Sequence, residues 1–151
     1  MIIAIASDHA GFIAKERIKT LLQQLSLDVK DFGCFSNDSV DYPDFGAALA
    51  SVISDGQYQR GILICGTGIG MSIVANKYPG IRAALCHDEF TAQSCREHND
   101  ANILVMGART LDEQQMEQIV KIWLKTPFAG GRHAKRLNLI TEIEQRLNHL
   151  V

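Results

Sequence analysis

Short apolar runs alternate along the chain with longer stretches in which apolar residues recur every third or fourth position. Residues 1–6, 27–32, 61–65, 80–86 and 103–106 have the length and composition of buried strands. Between them lie the helical patterns. Phe12, Ile13, Ile18, Leu21, Leu22 and Leu25 predict a helix after Gly11 with these side chains facing inward. Pro43 suits the first turn of a helix running to about Ser54. A short helix is expected over 71–77, and Asp88 is placed to cap another through Glu97. Met116, Ile119, Val120 and Trp123 mark one face of a helix over 111–125, and after the break at 127–131 a last helix starts at Arg132 and reaches about Asn148. Strands and helices that alternate in this way predict an α/β domain, a parallel five-stranded sheet covered on both faces.

The chain has 151 residues, enough for one domain with a real core and too few for a second catalytic domain. A formal net charge of −2 without a basic block argues against nucleic acid or a membrane surface as the main partner, so an anionic ligand must be met by local groups. Residues 1–6 lack the charged flank and length of a signal peptide, and no run reaches the roughly 18 apolar residues of a membrane helix, which predicts a cytoplasmic protein. The four cysteines show no C-x-x-C spacing and read as reduced thiols.

Candidate chemistry centres on Gly61 to Gly70, where a strand ends in Cys65 and Gly66, Thr67, Gly68, Ile69 and Gly70 turn into a helix. Glycines let main chain approach a ligand, and amides at a helix amino end favour negative charge. Cys65 reads either as a small buried hydrophobe or as a thiol beside an anion site. Asp8 and His9 lie at the end of the first strand, as a cap and a loop residue or as further crevice groups; Tyr42 reads as packing just before its helix. His98 and Asn99 precede the fifth strand, so reaching the crevice requires their loop to fold over or to serve a neighbouring subunit. Arg109 stands at that strand's exit, and Arg132 and Arg136 share one face of the last helix, where basic residues oppose the dipole unless an anion joins them. These groups could isomerise a sugar phosphate, with a thiolate base, main-chain donors for an enediolate and guanidinium groups on the phosphate. No metal or cofactor is needed. A nucleotide-binding module would leave Cys65, His98 and the arginine pair without a role, and a thiol redox sensor lacks a resolving cysteine nearby in sequence.

Asp8-His9-Ala10-Gly11-Phe12, Asp41 to Phe45, Gly61 to Gly70 with Asn76-Lys77, His98 to Asn102, and Gly130-Gly131-Arg132-His133 with Arg136 together resemble the B-type ribose-5-phosphate isomerases, a family that includes the allose- and galactose-6-phosphate isomerases. The resemblance spans essentially the whole chain. It implies a Rossmann-like three-layer α/β/α sandwich and a homodimer or dimer of dimers with active sites at the interface, where the helix over 132–148 packs. It implies Cys65 as the base, Thr67 and His98 in ring opening, Asp8 on sugar hydroxyls, Asn99 on the enediolate, and His9, Arg109, Arg132 and Arg136 on phosphate. Cys34 stands where a small polar residue is expected and Val74 where alanine is usual.

Overall fold

A computed structural model describes residues 1–148. Five strands, β1 (Ile2–Ser7), β2 (Asp28–Asp31), β3 (Arg60–Cys65), β4 (Ala83–Leu85) and β5 (Ile103–Gly107), form one parallel sheet in the order β2-β1-β3-β5-β4. The helices are α1 (Phe12–Gln24), α2 (Tyr42–Ser54), α3 (Ile69–Ala75), α4 (Glu89–Asn99), α5 (Glu113–Lys125) and α6 (Arg132–Asn148). Among the described residues no helix is long and apolar enough to cross a membrane.

Alternation along the strands creates the layers. Ile3, Ile5, Ile62, Ile64, Leu104 and Met106 project to one face, where they pack with Ile18 and Leu22 of α1 and with Ile119, Val120 and Trp123 of α5. Ala4, Ala6, Leu63, Cys65, Ile103 and Val105 project to the other, against Leu49, Ala50 and Ile53 of α2 and Met71 and Ala75 of α3. The result is a three-layer sandwich in which the central strands β1, β3 and β5 are dry on both faces, as in a parallel sheet.

Two details depart from the periodicity. On α1, Ile13 is 59% exposed and Leu25 43%, while Lys15 is fully buried. Lys15 takes the inner position because its Nζ donates to both carboxylate oxygens of Asp31 at 2.7 Å and to the Cys34 carbonyl at 2.6 Å. Burial works against the charge on Asp31, but the bonds from Lys15 and Lys19 outweigh it and hold the carboxyl below its ordinary range. The second departure is β4, which pairs only over Ala83–Leu85. It is an edge strand, and the side chain of Asn76 closes that edge: Nδ2 donates to the Ala83 carbonyl and Oδ1 accepts the Ala83 N–H, both at 2.9 Å.

α6 differs from the other helices. Over 132–147 no side chain on it is buried, and Leu139, Ile140, Ile143 and Leu147 are about half exposed. Its attachments are at its ends: Ala129 N–H donates to the Glu97 carbonyl at 3.0 Å just before the helix, and the Glu144 carboxylate accepts the Gly80 N–H at 2.9 and 3.0 Å.

Candidate active site

Strand order reverses between β1 and β3, and the chain leaves both strands through loops at their carboxyl ends, the place where open parallel sheets bind ligands. Asp8 and Cys65 occupy those two ends. Asp8 N–H donates to the Ile64 carbonyl at 3.2 Å, which ties the first loop to β3. The Asp8 carboxylate accepts the Gly11 N–H at 2.9 Å; it closes the turn before α1 and does not cap the helix itself, whose N-cap is Gly11. His9 Nδ1 accepts the Val40 N–H at 3.2 Å, leaving Nε2 to carry the proton of the neutral ring.

Cys65 is 5% exposed and faces the α2/α3 layer. Its Sγ accepts the Gly68 N–H at 3.1 Å, and Thr67 Oγ1 accepts the Ile69 N–H at 3.3 Å. The turn was expected to leave the amides from Gly66 to Gly70 open, so two of the donors are already engaged by groups of the turn itself. Gly68 makes this geometry possible. It has φ +79°, and a Cβ there would lie 2.4 Å from Leu85 Cδ1 and 3.1 Å from the Met106 main chain. Gly70 is needed for closeness instead, since a Cβ on it would fall 2.5 Å from the Tyr42 ring. The Tyr42 ring therefore lies against the start of α3. Arg109, at the exit of β5, donates its N–H to the Gly66 carbonyl at 2.9 Å and lays its guanidinium beside Gly66.

The structure thus gathers Asp8, His9, Tyr42, Cys65, Gly66, Thr67, Gly68, Ile69, Gly70 and Arg109 at one end of the sheet. His98, Asn99, Arg132 and Arg136 lie at the other. In the register Gly61↔Ile103 and Cys65↔Gly107, four residue steps separate the two ends, roughly 13 Å at the usual strand rise. His98 and Asn99 close α4 just before β5, and the loop does not fold over to Cys65 within the chain. The His98 ring stacks on His133 with centroids 4.3 Å apart and planes 12° from parallel. Arg132 and Arg136 stand exposed on the first turns of α6. Partial desolvation, followed by the charges of His98, Arg132 and Arg136, holds His133 below its ordinary pKa. The corner is a patch of positive charge that faces outward. Among the described residues no group of three His, Cys, Asp or Glu side chains is placed to hold a metal ion.

Sequence reasoning missed Lys15 and Asn76 as supports of this region. Lys15 lies three positions before Ile18 and seven before Leu22, so its place on the inner stripe was readable. Nothing in the sequence pairs Asn76 with Ala83.

The family model for ribose/galactose isomerases matches residues 3–140. The chain belongs to that family. As a ribose/galactose isomerase it is 44% identical to ribose-5-phosphate isomerase B of Escherichia coli, over 97% of this chain and 98% of that protein. It is 43% identical to the D-erythrulose-4-phosphate isomerase of Pectobacterium atrosepticum, over 97% of each. Among solved structures, that of ribose-5-phosphate isomerase B from Clostridium thermocellum superposes with a TM-score of 0.95 at 50% identity, covering 97% of this chain and 99% of that one. The sandwich of this ribose/galactose isomerase is the Rossmann-like fold of those enzymes, and the chain is an isomerase acting on sugar phosphates.

Proposed function

We propose that the enzyme interconverts ribose 5-phosphate and ribulose 5-phosphate through a cis-enediolate, with Cys65 as the base. The observation that carries this reading is the Cys65 sulfur at the carboxyl end of β3, held by a main-chain N–H and flanked by Asp8 across the strand-order reversal. Cys65 takes the proton from C2 of the open aldose and returns it to C1. Main-chain amides of the turn, with Asn99, hold the enediolate oxygens as charge develops. Asp8 orients the sugar hydroxyls. Thr67 and His98 open the furanose ring, an imidazole being suited to move a proton near neutral pH. His9, Arg109, Arg132 and Arg136 hold the phosphate.

This chemistry needs both ends of the sheet in one crevice, so the enzyme works as a homodimer or a dimer of dimers. His98, Asn99, Arg132 and Arg136 of one subunit complete the Cys65 crevice of another. The exposed apolar stripe of α6, Leu139 to Leu147, is the surface that fits such an interface.

The tetrose phosphate relative supports a second reading, a shorter substrate in the same crevice with the same base. Comparing kcat/KM for erythrose 4-phosphate, ribose 5-phosphate and allose 6-phosphate decides between them. Ribose 5-phosphate should lead by roughly tenfold or more, and a lead for either other sugar rejects the pentose assignment. If Cys65→Ala leaves turnover intact on all three, the assigned base is wrong whatever the substrate.

A further inference from the structure

At the amino end of the sheet a second cleft of about 400 Å³ opens between the start of β3 and the end of α4, lined by Tyr58, Arg60, Arg82, Arg96, Asp100 and Asn102. Its charge does not balance. Arg96 Nη1 lies 2.8 Å and Arg82 Nη2 3.1 Å from the two oxygens of Asp100, so one carboxylate serves two guanidinium groups. Both of these arginines also have a structural reason to be there. Arg82 donates to the carbonyls of Asn99 and Asp100, and Arg96 to that of Ala101, which satisfies the carbonyl-rich end of α4.

Arg60 is the third guanidinium, and it too serves a helix end, the last turn of α5. Its Nη1 donates to the Leu124 carbonyl at 2.9 Å, and among the described residues it has no carboxylate of its own. Burial, and then the nearby charge of Arg96, disfavour its cationic form. A third guanidinium directed to a half-buried cleft that already holds two, with one acid among them, is a placement that a bound dianion would relieve. Asn102 fixes the wall of the cleft, with its amide engaged by the Arg82 N–H and the Gly80 carbonyl.

We propose that this cleft is a second anion site, one that takes the phosphate of a small phosphate monoester at the end of the sheet opposite Cys65. It is separate from the phosphate site assigned to His9, Arg109, Arg132 and Arg136, and it shares no side chain with it. The volume suits a ligand of sugar-phosphate size, and planar guanidinium groups suit bidentate phosphate contacts.

The molecule carries its own reporter. Trp123 is the single tryptophan, fully buried, with the Arg60 and Arg96 guanidinium carbons 5.3 and 6.0 Å from its ring centroid. Inorganic phosphate should be titrated into the full-length Arg132→Ala/Arg136→Ala protein while the Trp123 indole resonance is followed by NMR and heat by calorimetry. The indole should shift in a saturable way, with one phosphate bound per chain. Adding Arg60→Gln should weaken that binding roughly tenfold or more, whereas Arg60→Lys, which keeps the charge, should retain most of it. An indole that does not move as phosphate is added, or an Arg60→Gln protein that binds phosphate as before, overturns the proposal. Failure of the catalytic reading would look different: Arg132→Ala/Arg136→Ala would then retain the wild-type kcat/KM.

Discussion

At the carboxyl ends of β1 and β3 the polar groups are held from within their own turns or by a neighbouring element: Asp8 by Gly11 and Ile64, His9 by Val40, the Cys65 sulfur by Gly68, Tyr42 against Gly70. At the other end of the sheet, the corner formed by the end of α4 and the start of α6 is held less firmly. His98 and His133 stack on each other, and Arg132 and Arg136 project exposed from a helix none of whose side chains over 132–147 is fully buried. One corner is shaped before any ligand arrives, through burial that a single chain can supply. The other presents charge outward on a surface that a single chain leaves uncovered. A thiol proposed as a base needs placement to a fraction of an ångström, which the first corner supplies within one chain; the groups of the second need another surface to fix them.

The largest effect expected is at the inner corner. Cys65→Ala should lower kcat for ribose 5-phosphate by about 10²–10⁴-fold with the circular dichroism spectrum unchanged. A loss smaller than tenfold would remove Cys65 from proton transfer.

The comparison itself is broken or kept by mixing. Cys65→Ala and Arg132→Ala subunits, each inactive alone, should regain roughly a quarter of wild-type activity when unfolded and refolded together, because half the random pairs carry one intact site. If each site lies within one chain, the mixture stays inactive.

Support of the inner corner comes next. Asp31→Ala leaves the Lys15 ammonium buried without its carboxylate and should cost about 3–5 kcal/mol in chemical denaturation. The pH dependence follows from the lowered Asp31 value. Its ionised form stabilises the fold above the unfolded carboxyl pKa, near 3.9, and that contribution is lost as pH falls through the lower folded value. The wild-type advantage over Asp31→Ala should therefore shrink only below about pH 4; a difference that disappears between pH 6 and 8 would point to another group.

The smallest contrast uses two left-handed glycines. Gly68→Ala forces a Cβ into Leu85 and the Met106 main chain and should cost about 1–3 kcal/mol, whereas Gly131→Ala, with φ +55° and open space around it, should cost about 1 kcal/mol or less. Equal melting temperatures for the two variants would contradict the tight packing assigned to the turn.

Much of this was legible in the sequence because parallel strands buried on both faces read as unbroken apolar runs between glycines and acids. The strands and helices lie within a few residues of their expected limits, and the Cys65 turn is where the spacing put it. What hydrophobicity cannot report is hydrogen bonding. Ile81 is buried but precedes β4, since burial alone does not make a ladder. Lys15 does not announce itself because a charged residue on an inner stripe requires a partner distant in sequence, here Asp31. The separation of His98 from Cys65 is readable, since one precedes its strand and the other ends one; that the start of α6 joins His98, through the His133 stack, is stated by no motif.

Asn76 imitates a neighbouring strand for Ala83, donating and accepting as a peptide group would. A strand arriving from another molecule would therefore have to displace Asn76 before it could pair with Ala83, so this flank is guarded where a bare ladder of amides would have accepted almost any extended peptide.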